Sequence, residues 1–378
     1  MSLDLVFATA PASPDPASLA ASLPAHKSLL LACARTRLDE AAHSRIETLV
    51  PLVSDWDDLI SAARRDGLLP LLYRSLAVVR AGAVPDPWLS NLRDETERID
   101  SRNVRITHEL CAILQLFGDH GVEAWGSGGP LLAHLVYGDI ALRQFGDPDV
   151  MIRKRDVGKA IELLAELGYE PHAIGYGARP GGARPGEAIG LQLAYDYHLP
   201  FYDSRRQCTV HIQWEIGADC FPQITARELW PRLRPMTFRG VRCLTPSPED
   251  TLLLLSLHGS RHRWQKIGWL CDVSELLDGV DIDLEQILGR ARQVGMARIF
   301  LHTLELAGAL FGLDIPQPIR RAIAADPAVS ALSVNVVDQL FGPAKDRDLT
   351  FDLSTMERLR DKLYYCWRRV TAISDSGR

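Results

Sequence analysis

The chain lacks most of the features that would place a protein in a membrane, in a disulfide scaffold or on nucleic acid. Its 378 residues contain no apolar run of transmembrane length, and the N-terminus lacks the basic start and apolar core of a signal peptide. The seven cysteines include no Cys-X-X-Cys pair, which predicts reduced thiols rather than a zinc knuckle or a disulfide framework. The net charge of −6 argues against a broad nucleic-acid-binding surface. We therefore expect a cytoplasmic globular protein without a membrane partner.

The most informative stretch is Asp147-Pro148-Asp149, which leads into the apolar run Val150-Met151-Ile152. The apolar run predicts a buried strand, on which residues two apart point to the same face. Asp147 and Asp149 can therefore converge on one point, where a cation would relieve their mutual repulsion. Carboxylate oxygens suit Mg²⁺ (or Mn²⁺), the ions that assist phosphoryl and nucleotidyl transfer. The sequence predicts a metal site at Asp147 and Asp149, and the alternative is a polar turn ahead of a strand.

A glycine-rich turn stands upstream of this strand, between a predicted short strand and a helix whose first turn holds Pro130. Backbone N–H groups at such a turn, together with the helix N-terminus, can hold a phosphate. The alternative is a plain strand-to-helix connection. The predicted nucleotide-binding residues of this turn are Gly126, Ser127, Gly128 and Gly129.

The order of strand, Gly-Ser turn, helix, Asp-X-Asp strand and helix resembles the polymerase-β-type nucleotidyltransferase superfamily. The segment 135–152 is similar to the pattern Leu-Tyr-Gly-Asp…Asp-Ile-Asp of one bacterial branch, the uncharacterised nucleotidyltransferase family proteins. Further blocks at 197–201, 210–214, 247–250 and 257–272 follow in the order of that branch. The resemblance implies a mixed sheet of nucleotidyltransferase type and Mg²⁺-dependent transfer from an NTP-like donor.

Two departures from the branch bear on the chemistry. Gly128-Gly129 stands where relatives carry Lys-Gly, and His211 stands where they carry a third carboxylate. Glu215 shares a face with His211 on a strand predicted over 207–216, so it is a candidate replacement. His211 is the alternative as ligand or base, and a solvated sheet face is the third possibility. Because a carboxylate adds negative charge to a cation site, we expect Glu215 to matter more than His211.

The missing lysine predicts that another cation meets the donor phosphates. Arg143 is the first candidate because it lies four residues before Asp147 and its guanidinium can hold two phosphate oxygens. Arg261 and Lys266 are the next candidates. The alternative is that Arg143 ties its loop to the rest of the fold.

Further polar residues are candidates for the same cleft. His198 lies on the polar face of a strand predicted over 191–201, and His258 and His262 are four residues apart on a helix that begins at Ser247. The helix can present its basic end to the nucleotide, or its histidines can be structural and bonded to Asp272.

The sequence therefore predicts an α+β protein with a nucleotidyltransferase-type mixed β-sheet core. Its parts are a flexible N-terminus over 1–24, a helical N-terminal region over 25–116, the nucleotidyltransferase core over 117–245 and a helical C-terminal region over 246–378. The expected activity is an EC 2.7.7-like transfer of a nucleotidyl or phosphoryl-linked group to an unknown acceptor, with a peptide, a glycan or a small molecule as candidates. The peptide and the glycan are implied by the resemblance, which suggests peptide tailoring. The alternative is a degenerate nucleotidyltransferase that binds a nucleotide or a peptide without turnover.

Overall fold

A computed structural model describes residues 15–79, 83–172, 189–190, 192–193, 196–217, 221, 224–342 and 349–375, with side chains as far as residue 368. Within these ranges a mixed β-sheet is flanked by helices from both ends of the chain. The predicted α+β architecture is therefore confirmed. None of the helices in the described ranges combines the length and the apolar character that crossing a bilayer requires.

The sheet has the order β3-β4-β5-β2-β1-β7-β6 among the described residues. Strands β2 and β5 are parallel, as are β1 and β7, and the other neighbours are antiparallel. The central strands β1 and β2 are thus enclosed on both sides. The strands are β1 (Ala124–Gly126), β2 (Asp149–Ile152), β3 (Glu170–Pro171), β4 (His198–Asp203), β5 (Cys208–Gln213), β6 (Arg234–Phe238) and β7 (Val241–Thr245).

The N-terminal helices have clear local signals at their ends. The fourth of them begins where the Asp55 side chain accepts a hydrogen bond from the Asp58 N–H, and it ends at Gly67, whose φ of 75° favours glycine. The first helix lies inside the stretch that was predicted to be flexible, of which residues 1–14 are outside the described ranges. The helices are α1 (Pro16–Ala21), α2 (Ala25–Cys33), α3 (Glu40–Leu49), α4 (Trp56–Asp66), α5 (Leu69–Ala77) and α6 (Asp86–Asp119).

Short helices connect the strands, and longer ones follow them. The predicted helix start at Ser247 is confirmed, because its side chain accepts a hydrogen bond from the Asp250 N–H and Pro248 occupies the first turn. The helices within the sheet region are α7 (Gly129–Leu132), which continues as a π turn over Ala133–Tyr137, α8 (Val157–Glu166) and α9 (Ala226–Leu229). Those after the sheet are α10 (Pro248–Arg261), α11 (Ile267–Gly279), α12 (Leu284–Val294), α13 (Ala297–Phe311), α14 (Gln317–Ala324), α15 (Pro327–Phe341), α16 (Leu349–Thr355) and α17 (Leu359–Asp375).

The helices from the two ends of the chain share one hydrophobic core. This core contains residues of α2 to α5, such as Leu29 and Leu72, together with residues of α10 to α15, such as Leu252 and Val337. A second core lies under the sheet. Helix α6, which is 34 residues long, contributes Leu92 to the shared core and its last turns to the sheet core. It therefore joins the helical body to the sheet.

Strand alternation separates the sheet core from the polar face. Val150, Ile152, Val210 and Ile212 are buried in the sheet core together with residues of α6 and α8. Since residues two apart share a face, Asp149, and with it the polar residues of β5, lie on the opposite face. The candidate site is built on that face.

Candidate functional site

The glycine-rich turn and the two aspartates meet at the end of β1. Gly126 pairs with Val150 in the antiparallel ladder, and the Ser127 N–H donates a hydrogen bond of 3.0 Å to the Asp149 carbonyl oxygen. A side chain built on Gly129 would lie 3.9 Å from the carbonyl oxygen of Asp147. The structure thus places the predicted phosphate-binding turn directly beside the predicted metal-binding carboxylates.

The backbone of the turn explains its glycines. Gly128 has φ of 106° and ψ of −151°, and Gly129 has φ of 49°. The Gly128 conformation is open essentially to glycine alone. A lysine at position 128 would therefore be strained in this backbone.

Parallel pairing of β2 with β5 places two further side chains beside Asp149. His211 is the ladder partner of Asp149, and Gln213 is the partner of Met151. The Gln213 amide donates a hydrogen bond of 2.8 Å to Asp149 Oδ1 and accepts one of 3.2 Å from Ser127 Oγ. Gln213 therefore links the turn to the carboxylate. It was absent from the predicted site residues, although the alternation of β5 put it on the same face as His211.

Burial and a neighbouring charge act together on Asp149. Desolvation, followed by repulsion from Asp147, raises the pKa of Asp149 to about 7, although His198, Gln213 and Arg143 oppose the shift. About one third of the Asp149 side chain, 33%, remains accessible to solvent. The two carboxylates therefore form an electronegative pair whose charge is not fully balanced by the protein.

A pair of histidines lies next to the carboxylates. His198 and His211 stack with ring centroids 5.7 Å apart, and Asp196 Oδ1 lies 3.2 Å from His198 Nδ1. His211 Nδ1 is 3.8 Å from Asp149 Oδ1, which is longer than a hydrogen bond. Desolvation and the charge of His198 lower the pKa of His211, against a smaller opposing effect of Asp147. His211 is therefore a neutral imidazole at physiological pH.

The structure corrects the position expected for Glu215. Strand β5 ends at Gln213 rather than at residue 216, so the strand alternation does not carry Glu215 to the carboxylates. Its Oε1 accepts hydrogen bonds from the N–H groups of Ile216 and Ala226, at 3.0 and 2.5 Å. Glu215 thus caps the start of α9, and His211 is the better placed of the two candidates.

Arg143 is bound to an acidic partner. Its Nε and Nη2 donate to Asp272 Oδ1 and Oδ2 at 2.8 and 2.9 Å, and the Tyr137 hydroxyl donates to Asp272 Oδ1 at 2.7 Å. The Asp272 side chain is 1% exposed and that of Arg143 is 15% exposed. This geometry favours the structural alternative, in which Arg143 ties the 139–146 loop to α11. Asp272 therefore bonds to Arg143 and Tyr137 and not to the histidines.

The other two predicted cations each lie over an aromatic ring. Arg261 donates a hydrogen bond of 3.2 Å to the Ile216 carbonyl and lies over the ring of Tyr197, 5.6 Å from its centroid. Tyr197 in turn packs against His198. Lys266 lies over Trp269 at 5.8 Å. Arg261 is therefore near the histidine pair, whereas Lys266 lies at the start of α11.

His258 and His262 form an aromatic cluster with Trp269. The two imidazole centroids are 4.7 Å apart, and each ring lies within 5.3 Å of the Trp269 ring centroid. The His258 side chain is open to solvent, yet desolvation by the surrounding protein and then the charges of His262, Arg143, Arg261 and Lys266 lower its pKa. His258 is thus a neutral group that the three predicted cations surround.

The residues present fit a divalent ion with two protein ligands. Among the described residues, no group of three His, Cys, Asp or Glu side chains is arranged to hold a metal. The unbalanced charge of Asp147 and Asp149 nevertheless matches Mg²⁺, which is usually bound through one or two carboxylates together with substrate phosphates and water. Any such ion would take its remaining ligands from the substrate and solvent.

A family model described as an uncharacterised nucleotidyltransferase matches residues 53–312. The match covers more than half of the chain and includes the glycine-rich turn, Asp147 and Asp149, and helix α10 with His258. It supports nucleotidyl transfer as the general activity and a nucleotide as a substrate. No curated protein and no solved structure matches the chain. On the strength of the family match and of the turn that meets Asp149, this chain belongs to the uncharacterised nucleotidyltransferase family.

Proposed function

We propose that the protein transfers a nucleotidyl group from a Mg²⁺-bound NTP to a hydroxyl group of an acceptor. The observation that carries this proposal is the contact between the glycine-rich turn and β2, where the Ser127 N–H binds the Asp149 carbonyl. Through that contact the glycine-rich turn lies next to Asp147 and Asp149, which supports a site where backbone N–H groups would hold phosphate and the two carboxylates would hold a metal ion. Asp147 and Asp149 would hold the ion, and residues 126–129 would hold donor phosphates.

The transfer step assigns separate tasks to the residues of β2 and β5. The acceptor oxygen attacks the α-phosphorus, the new O–P bond forms, and the bond to the bridging oxygen breaks to release pyrophosphate. His211 is neutral and partly exposed, so it can take the proton of the attacking hydroxyl and pass it to water. Gln213 holds the Asp149 carboxylate in place through its amide. A bound Mg²⁺ would supply Lewis-acid stabilisation of the phosphate charge.

The acceptor is proposed by class only. Relatives of this kind can occur beside peptide-tailoring or polysaccharide gene clusters, which suggests a hydroxyl-bearing peptide or glycan as the acceptor. A neutral amide and a neutral imidazole stand on β5 in the region where a third carboxylate would complete a two-metal site. That observation favours the second candidate function, a module that binds the nucleotide without turnover.

The test compares nucleotide binding in two variants with the same change in charge. In isothermal titration calorimetry, Asp147→Asn/Asp149→Asn should abolish Mg²⁺-dependent NTP binding while the fold stays intact. The control, Asp94→Asn/Asp281→Asn, removes two exposed carboxylates elsewhere and should leave the affinity unchanged. Equal affinity in both variants would reject the metal assignment.

A second assay separates the enzyme from the binding module. Pyrophosphate release is followed with Mg²⁺, each of the four NTPs and hydroxyl-bearing peptides or glycans as acceptors. Release that depends on Asp147 and Asp149 supports the transferase. Nucleotide binding without pyrophosphate release, over the acceptors tested, supports the module.

A further inference from the structure

A basic cavity lies beside the candidate site, next to the loop that leads into Asp147. It has a volume of about 290 Å³ and is enclosed by the end of α4, Arg102 of α6, the 142–146 loop and the start of α11. The approach of these segments depends on Gly268, because a side chain there would come within 2.4 Å of the Asp66 carbonyl oxygen. The volume is near the lower end of the range for small-molecule sites, which suits a ligand of the size of pyrophosphate or a phosphorylated sugar.

The lining of the basic cavity is cationic although the chain is acidic overall. A net charge of −6 for the whole protein makes such a concentration of positive charge unusual. In a concave, partly enclosed space these charges reinforce one another and attract anions. The lining cations are Arg64, Arg65, Arg102, Arg143 and Lys266, and the lining carboxylates are Asp66 and Asp272.

The two carboxylates are already satisfied within the fold. Asp272 binds Arg143 through both of its oxygens, and Asp66 lies 3.1 Å from an Arg65 nitrogen and accepts a hydrogen bond from the Ile267 N–H. Within the described part of the chain, neither Arg102 nor Lys266 forms an ion pair with a carboxylate. Since Arg64 is paired with Glu95, these two cations of the lining carry the charge available to a ligand.

An amide in the cavity wall adds a polar group beside these cations. The side chain of Gln144 lines the cavity, and an amide NH₂ group can donate hydrogen bonds to an anionic oxygen.

The basic cavity is close to the carboxylates of β2. Gly146 lines the cavity and immediately precedes Asp147, and Arg102 Nη2 lies 3.8 Å from the position that a side chain on Gly146 would occupy. A substrate anchored in the cavity can therefore extend toward the two aspartates.

We propose that the basic cavity binds a phosphate group of a substrate through Arg102, Lys266 and the Gln144 amide. A phosphate carries up to two negative charges and several acceptor oxygens, so it matches a guanidinium, an ammonium and an amide together better than a single carboxylate does. The phosphate belongs either to a phosphorylated acceptor or to the triphosphate of the donor. That the bound phosphate takes part in a transfer reaction rests on the proposed function, whereas the binding of phosphate in the cavity does not.

The binding test uses inorganic pyrophosphate as the probe, with divalent ions removed so that the aspartate pair contributes nothing. Calorimetry should show binding to the wild type and a dissociation constant at least tenfold higher for Arg102→Ala/Lys266→Ala. Both residues are exposed, so the variant should fold, as circular dichroism would check. The matched control, Arg155→Ala/Arg360→Ala, removes two exposed cations elsewhere and should change the constant less than twofold. Equal affinities in the two variants, or no binding by the wild type at millimolar pyrophosphate, would overturn the proposal.

Two further measurements identify the source of the phosphate and test the cavity separately from the proposed transferase activity. Competition between pyrophosphate and saturating Mg²⁺–NTP would assign the cavity to the donor triphosphate, and simultaneous binding would assign it to a phosphorylated acceptor. Both results support a phosphate site. Asp147→Asn/Asp149→Asn should still bind pyrophosphate without divalent ions. A negative transferase assay would therefore not contradict pyrophosphate binding in the cavity, and absence of that binding would not contradict a positive transferase assay.

Discussion

Replacement of Arg143 by alanine should destabilise the protein rather than act only on nucleotide binding. The substitution leaves Asp272, which is 1% exposed, with the Tyr137 hydroxyl as its remaining side-chain donor among the described residues. Removing one partner of a buried ion pair costs about 3–5 kcal/mol. An unfolding entropy of roughly 2.1 cal/mol/K per residue gives about 0.8 kcal/mol/K for 378 residues, so the midpoint should fall by about 4–6 °C if the chain unfolds as one unit.

The assays are thermal and urea unfolding followed by circular dichroism, which report the midpoint and the free energy of unfolding, and calorimetric titration of Mg²⁺–NTP per folded molecule. In a double-mutant cycle, Arg143→Ala/Asp272→Asn should cost less than the sum of the two single variants, because the buried charge is no longer left alone. Arg93→Ala is the matched control, since its pair with Asp94 is 54% exposed on both sides and should contribute at most about 1 kcal/mol. A stable Arg143→Ala variant whose NTP dissociation constant rises tenfold, about 1.4 kcal/mol, would refute this reasoning and return Arg143 to the donor phosphates.

Three further predictions concern titration and catalysis. Since folding raises the pKa of Asp149 to about 7, its contribution to the free energy of unfolding without metal should fall as pH rises from about 4 to 7. When unfolding midpoints are measured against pH, Asp149→Asn should flatten the curve over that range. His211→Ala should lower turnover by about 10²-fold or more. Glu215→Gln keeps an acceptor for the Ile216 and Ala226 N–H groups, so it should change initial rates far less. The reverse order would contradict the positions of the two side chains. Burial lowers the pKa of His302 to about 3, so the free energy of unfolding should decline as pH falls below about 6.5, by about 1.4 kcal/mol per pH unit at most. The same decline in a His302→Leu variant would exclude this cause.

Local signals in the sequence predict the parts of the site that lie on neighbouring segments. The glycine-rich turn and the Asp-Pro-Asp stretch are only about twenty residues apart, and strand alternation orients Asp149 without further information. The cap at Ser247 is likewise a local pattern, and the helix begins there. These features depend on backbone geometry that a few residues determine.

Long-range contacts explain what the sequence does not reveal. Arg143 and Asp272 are 129 residues apart, and nothing near either residue indicates that they pair. Strand β5 ends at Gln213, and Glu215 beyond it accepts a hydrogen bond from the Ala226 N–H at the start of α9, a contact between distant segments that strand alternation does not reveal. The basic cavity combines residues of α4, α6, the 142–146 loop and α11, which are spread over about 200 residues, so no spacing of charged residues could have indicated it.

The shared core of the two helical regions sets an order on the biosynthesis of this protein. Leu29 and Val337 belong to one hydrophobic core, and the Lys27 ammonium donates to the Phe341 carbonyl, 314 residues further along the chain. A ribosome that adds 5–20 residues per second needs roughly 15–60 s to make the intervening chain. During that interval the apolar faces of α2 to α5 have no partner from the C-terminal helices. Newly made N-terminal helices therefore depend on chaperones or on temporary contacts among themselves until the last third of the chain emerges.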